Sequence, residues 1–297
     1  MTPDEEHIDE TRMTLGQHLE ELRGRLIRAT LAIVVVFSVA WMFRTQLYEV
    51  AFGPYGRASQ WLNEAKVEYY TNELEQNPEL DWSEYFTSAD PATRELVSEL
   101  KTRKQLRADA ASAGFFMYMR VCLFFALFVA GPYVLWQIWQ FVAAGLYKRE
   151  KSVVFHYFPF SAGLFLGGSV FGYFMMVPYA IFFLAKMTIG GRIEYWETID
   201  NYWTFLTSLT LALGAVFQLP VVMLALGRLG LVDPKTFGKY RGHCIVGALV
   251  VAAVITPPDP FTQMLMAIPI ATLYELGIWI THFAIKRAEQ SSLTHVP

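Results

Sequence analysis

The sequence predicts an all-α, polytopic membrane protein with six transmembrane helices, and three observations carry that prediction. First, 54% of the 297 residues are hydrophobic and only 17% are charged, with a mean hydropathy of +0.30. That is too apolar for a soluble domain of this length and too aromatic for a disordered chain. Second, apolar stretches recur at residues 26–43, 115–141, 155–183, 202–226, 245–255 and 264–274. Third, basic residues gather in alternate connections. Arg12, Arg23 and Arg25 precede the first stretch and Arg28 lies at its start, Lys148, Arg149 and Lys151 follow the second, and Arg228, Lys235, Lys239 and Arg241 follow the fourth. Lys286 and Arg287 follow the sixth, whereas the short opposite loops hold only Lys186 and Arg192. Positive charge is retained on the cytoplasmic side, so both termini are placed there.

Residues 1–13 are acidic and polar, with the composition of a disordered leader. The stretch 14–43 begins as a charged helix, where Thr14 and Gln17 fit a capping box. Glu20 and Arg23 are three residues apart, and Glu21 and Arg25 four apart, both ion-pair spacings on a helix. Leu15, Leu19, Leu22 and Leu26 share a face, so an amphipathic collar runs into the first span. The leader is long for a secretory signal and the apolar run continues past Ala40, so the segment reads as a retained span.

Gly53-Pro54-Tyr55 predicts a turn on the outer side. Residues 56–113 then form a polar outer insert within a single membrane domain covering 1–297. Asp90-Pro91 starts a charged helix over 92–111, and Trp61, Tyr69, Tyr70, Trp82, Tyr85 and Phe86 suit the membrane interface. A solvated lid and a partner-binding module both fit this insert.

The second span carries Gly131-Pro132, a kink signal. The third carries Pro159, Pro178, Gly163, Gly167, Gly168 and Gly172, and the glycines permit close helix approach. An outer loop over 186–201 holds Glu194, Glu197 and Asp200. The fifth and sixth spans read as unusually short. The eleven residues of 245–255 give roughly 17 Å of helix, far less than a hydrocarbon core of about 30 Å. The stretch 264–274 is equally short before Glu275, so this hairpin implies a thinned or wetted bilayer.

Glu21 and Glu150 are the residues most suggestive of chemistry. Each is an acid in a basic inner segment beside a span end, and paired carboxylates at a partly dry rim suit guanidinium groups. The alternative is that each simply pairs with a neighbouring arginine. Gln218 lies within the fourth span, two residues before Pro220; it faces other helices or water, or makes a hydrogen bond between helices. Thr256 and Gln263 flank the outer hairpin and have the chemistry to bond a partner helix. Asp259 at its tip reads first as a turn residue. Glu275 reads as lying near the cytoplasmic face because the last span is short, with a snorkelled or arginine-paired role as the alternative.

No nucleophile–base set, metal-binding motif or basic nucleic-acid stripe is present. The net charge is −3, and the two cysteines, Cys122 and Cys244, are placed toward opposite faces. The sequence therefore predicts neither an enzyme nor a protein with a metal or other cofactor. A proton- or solute-coupled secondary transporter is the alternative, although no matched halves with broken helices support it.

Four ordered motifs carry a resemblance. They are His18-Leu19-Glu20-Glu21-Leu22-Arg23-Gly24-Arg25-Leu26, the run from Phe141 to Gly145-Leu146-Tyr147-Lys148 and Glu150, Thr256-Pro257-Pro258-Asp259, and Ala267-Ile268-Pro269 with Tyr274-Glu275-Leu276-Gly277. Together they resemble the TatC family, the multi-spanning subunit of the twin-arginine protein translocase, over nearly the whole chain except 56–113. The resemblance implies a cupped bundle in the bacterial inner membrane. It implies a receptor for twin-arginine signal peptides that gathers TatA- and TatB-type single-span partners in an oligomeric complex, so that folded proteins cross on the proton gradient. Glu21 and Glu150 look like the carboxylates that receive the arginine pair, and Arg23 and Phe141 like neighbouring recognition residues. Pro54 looks like the proline of the first outer loop. Thr256 and Gln263 look like the polar cluster that docks a partner helix, and Asp259 like the acidic loop tip. The insert is longer than the family pattern. Ala144 stands where proline is common, and Gln218 where glutamate is common, so a titrating role at that position is not implied here.

Overall fold

The computed structural model describes residues 15–76, 113–145, 151–189, 198–256 and 259–293. Helix α1 (Leu15–Met42) is one unbroken run of 28 residues. Thr14, the expected capping residue, lies outside the described residues, immediately before the helix begins. A turn at Phe43 leads to α2 (Arg44–Ala51), and a second at Phe52 leads to α3 (Gly53–Gln76). The turn expected at Gly53-Pro54-Tyr55 is thus a helix start. Pro54 occupies the second position of α3, where its missing N–H has no intrahelical acceptor to lose. The rest of the insert, including Asp90-Pro91 and 92–111, lies outside the described residues, as do Glu194 and Glu197.

Helix α4 (Ala113–Ala144) accommodates Pro132 without a break. Its neighbour Gly131 leaves room for the Phe165 ring, which a β-carbon would overlap. The third span is α5 (Lys151–Phe171), a π-helical turn at Gly172–Met176, and α6 (Val177–Lys186). The fourth is α7 (Ile199–Val216) and α8 (Leu219–Arg228), interrupted ahead of Pro220. Thr198 caps α7 by accepting from the Asn201 N–H at 3.3 Å. Gly230, at φ 68°, ends α8. Leu231 N then donates to Leu226 O at 3.0 Å and Gly230 N to Gly227 O at 3.2 Å, the bond pair of a Schellman terminus. A short α9 (Pro234–Lys239) leads to α10 (Arg241–Ile255) and α11 (Pro260–Leu293).

Among the described residues, five helical units are long and apolar enough to cross a membrane: Gly16–Met42, Gly114–Ala144, Tyr157–Lys186, Ile199–Arg228 and Pro260–Lys286. The fifth span, α10, has 15 residues, about 22 Å of helix, and is short as expected. The sixth is not: α11 runs for 34 residues. Glu275 does not end it, because Arg241 Nε lies 3.0 Å from its carboxylate and apolar residues resume at Leu276.

Helix α7 is central. Tyr202, Leu206, Leu209 and Leu213 are buried against Val121 and Phe124 of α4, Met176 and Val177 of the third span, and Ala252 and Met266 of the hairpin. Of the third-span glycines, Gly168 and Gly172 make the close approach. A β-carbon on Gly168 would lie 2.8 Å from Leu213 O, and one on Gly172 3.1 Å from Thr210 Cα, whereas Gly163 and Gly167 face open space. Helix α1 is covered mainly along its α4 side, through small residues such as Ala29 and Ala40; Leu31 and Val35 stay exposed.

Candidate functional site: the α1–α4 rim

The start of α1 meets the end of α4, and their polar groups converge there. The His18 ring stacks on Phe141 with centroids 4.4 Å apart, and Gly145 closes the corner, its β-carbon position 3.5 Å from His18 Cε1. One turn along α1, Arg25 grips Glu21: Nε lies 2.7 Å from Glu21 Oε1, and Nη2 2.5 Å from the same oxygen. Arg25 Nη1 also reaches Gln137 Oε1 of α4 at 3.4 Å. The Arg25 side chain is 19% exposed and that of Glu21 32%, so the pair is partly dry yet open to solvent. The helical spacing of Glu21 and Arg25 makes this pairing local, while burial of Gln137 in α4 ties it to the second span.

Glu21 is therefore partnered by a neighbouring arginine, as one of the two sequence readings has it. Arg23 is exposed on the same helix and does not pair with Glu20. Glu150 lies outside the described residues, between Gly145 and the Lys151 start of α5. The structure thus brings Glu21 and Phe141 to one rim with Arg23 beside them. Arg25 was expected beside Glu21 from its spacing, whereas His18 and Gln137 are the residues that sequence reasoning did not single out as part of the rim. Gln137, one of two amides with Gln140 in a largely apolar span, was the signal available for its position.

A second polar cluster lies between the second, third and fourth spans. Trp139 Nε1 donates to Ser161 Oγ at 3.0 Å, and Ser161 Oγ donates to Gln218 Oε1 at 2.5 Å. Gln218 Nε2 in turn donates to Ser161 O at 3.1 Å. Both ends of the Gln218 amide are thus bonded to the third span.

At the hairpin, Thr256 Oγ1 donates to Ala252 O at 2.8 Å, and Gln263 Nε2 donates to Leu249 O at 3.1 Å. Asp259 caps α11: its Oδ1 accepts from Thr262 N at 2.7 Å, and its Oδ2 accepts from the Thr262 hydroxyl. Phe183 stacks on Phe261 with centroids 3.3 Å apart. The Thr256 hydroxyl and the Gln263 amide nitrogen, both expected to meet a partner helix, thus each donate to a carbonyl of α10 within the hairpin. Pro54 is buried beside the α2–α3 elbow, where Tyr202 donates to Ala51 O at 2.7 Å.

Residues 17–269 match the family described as Sec-independent protein translocase protein (TatC). A TatC protein of Halothiobacillus neapolitanus is 32% identical over 282 residues, which is 94% of this chain and 65% of the relative. The TatCy protein of Bacillus subtilis is 29% identical over 95% of this chain and 93% of its own length. The TatC protein of Escherichia coli K12 is 28% identical over 93% of this chain and 91% of its own length. A crystal structure of a twin-arginine translocase receptor, TatC, is 27% identical and has a TM-score of 0.65, covering 90% of this chain and 99% of that one. With the family match spanning most of the sequence and the helix order shared with a solved relative, the chain belongs to the TatC family of Sec-independent protein translocase proteins.

Proposed function

We propose that this protein is the signal-peptide receptor and scaffold of a twin-arginine translocase in the bacterial cytoplasmic membrane. The observation that carries the reading is the Glu21 carboxylate, which holds a guanidinium at a partly dry rim beside Phe141. That geometry suits a second guanidinium from an arginine pair, through charge-assisted bonds. In this reading Glu150 joins Glu21 and Arg23 at the cytoplasmic end of the bundle, and both termini lie on that side. The apolar part of the signal peptide then lies along the spans. TatA- and TatB-type single-span proteins assemble with membrane lipids near the short α10, around Thr256, Gln263 and Gln218, and the proton gradient drives export of folded cargo. The insert 56–113 is an extended outer loop of one membrane domain. The role is transport without a catalytic step.

A secondary transporter would place its carboxylates within the span interior. Glu21 lies at a helix end, and Glu275 pairs with Arg241 at the start of α10. Crosslinking of a twin-arginine peptide against its twin-lysine variant tests the receptor reading. Selective capture of the arginine form, lost in Glu21→Ala plus Glu150→Ala, is the expected result. Equal capture of both forms, unchanged by those substitutions, would overturn it.

A further inference from the structure

We propose that the short helix α9 forms a headgroup site for an anionic phospholipid, held by Lys235 and Lys239 beside the start of the fifth span. The inference rests on the membrane placement of the helices and not on the receptor reading, so the two stand or fall separately. Helix α11 serves as a ruler for the depth of α9. The fourth span ends beside Thr281, since a β-carbon on Gly227 would lie 2.5 Å from Thr281 Cγ2. After the turn at Gly230, α9 comes back along α11. The Tyr274 hydroxyl donates to Phe237 O at 2.8 Å, and Arg241 Nε lies 3.0 Å from the Glu275 carboxylate. Tyr274 and Thr281 are seven residues apart, so the chain climbs about 10 Å back toward the α10–α11 hairpin. Tyr274 is fourteen residues from Pro260, roughly 21 Å of helix against a hydrocarbon core of about 30 Å. Helix α9 therefore lies within the thickness of the leaflet opposite the hairpin, not beyond it.

Charge at that depth needs a partner. Arg241 has Glu275, and the Asp233 carboxylate accepts the Lys235 backbone N–H at 2.8 Å as the cap of α9. Lys235 and Lys239 are both exposed and have no ion pair among the described residues. Four residues apart on a helix, they share one face. Apolar surface flanks them along the chain, with Leu231 68% and Tyr240 47% exposed. Two unpaired ammonium groups between exposed apolar side chains match a phospholipid. Its phosphate oxygens accept from the lysines, and its acyl chains cover Leu231 and Tyr240. A net negative headgroup is favoured over a zwitterionic one, whose own ammonium would bring a third cation to the pair. A soluble acidic peptide matches the charges but leaves the apolar surface uncovered.

The test is lipid retention by the purified full-length protein, taken in mild detergent from vesicles of phosphatidylglycerol and phosphatidylcholine in equal parts and read by native mass spectrometry. Wild type is expected to retain phosphatidylglycerol in preference to phosphatidylcholine. Lys235→Gln or Lys239→Gln should each lower that preference roughly fivefold, and the two together roughly thirtyfold. Lys235→Arg plus Lys239→Arg, which keeps both charges, should retain most of it. Lys286→Gln should leave it nearly unchanged, because Lys286 stands twelve residues beyond Tyr274, about 18 Å farther along α11. A preference unchanged in the double glutamine variant, or lowered as much by Lys286→Gln, would overturn the inference. So would displacement of the retained lipid by a soluble glutamate peptide, which would make the surface a protein contact. Loss of the lipid in the double arginine variant would overturn it too, whatever the stability of the glutamine variants.

Discussion

Arg57 and Tyr173 are joined by a hydrogen bond that the backbone of the third span makes necessary. Arg57 Nη2 donates to Tyr173 O at 3.3 Å, and the guanidinium lies over the Tyr173 and Phe174 rings at 5.5 and 4.9 Å. Across the π-turn, Val177 N bonds Gly172 O. The next bond in that register would come from residue 178, which is proline and has no N–H. Tyr173 O is left without a helical donor, and Arg57 from α3 supplies one.

Arg57→Ala should therefore lower stability by about 1–2 kcal/mol through the orphaned carbonyl. In a Pro178→Ala background, which restores a backbone donor, the loss should be smaller. Thermal unfolding of the detergent-solubilised protein across the double-mutant cycle measures the difference. Equal losses in both backgrounds would mean that ring contacts alone account for Arg57.

Removing the charge of Glu21 tests the rim directly. Glu21→Gln should weaken twin-arginine peptide binding by roughly tenfold, the scale of one charge-assisted hydrogen bond of about 1.5 kcal/mol. Helix content should be unchanged, because the side chain is partly solvated and, among the described residues, bonds Arg25 alone. Fluorescence anisotropy with a labelled peptide, alongside circular dichroism, reads both quantities.

Gln218→Glu places a carboxylate where the amide now donates to Ser161 O. The donor is lost and two acceptors face each other. A cost of about 1–3 kcal/mol is expected, relieved in part by protonating the new acid. The thermal midpoint of Gln218→Glu should therefore rise as pH falls, while that of wild type should not follow it. A variant as stable as wild type at every pH would show that the third span repacks freely around this position.

Asp259→Ala removes the cap of α11 and should cost about 1 kcal/mol. Asp259→Ser, which retains a capping acceptor, should recover most of it. If partner co-purification follows the same order as the thermal midpoints, hairpin order governs assembly; loss in both variants alike would instead point to the charge itself.

The long apolar runs, the helix start near Leu15 and the shortness of the fifth span were legible in the sequence, because hydrophobic length acts locally, whereas Asp259 read as a turn residue and the structure makes it the cap of a helix that begins at Pro260. Two expectations differed from the structure for one reason. The break at Gly53-Pro54-Tyr55 and the end of the sixth span at Glu275 were inferred from residues that punctuate a chain in isolation. In the fold, proline sits at a helix start and the acid is paired with Arg241 from another helix.

The candidate site divides along the same line. That Glu21 and Arg25 share a helix face follows from spacing alone, and so does their pairing. That Gln137 holds Arg25, that His18 stacks on Phe141, and that Ser161 satisfies both ends of Gln218 depend on contacts between residues far apart in the chain. The sequence by itself determined the class of the protein, its apolar helices and the charges at their ends, since these are set by composition and short-range periodicity. The tertiary structure decided which polar groups are satisfied internally and which retain capacity for a ligand, because that depends on which helices pack together and at what register.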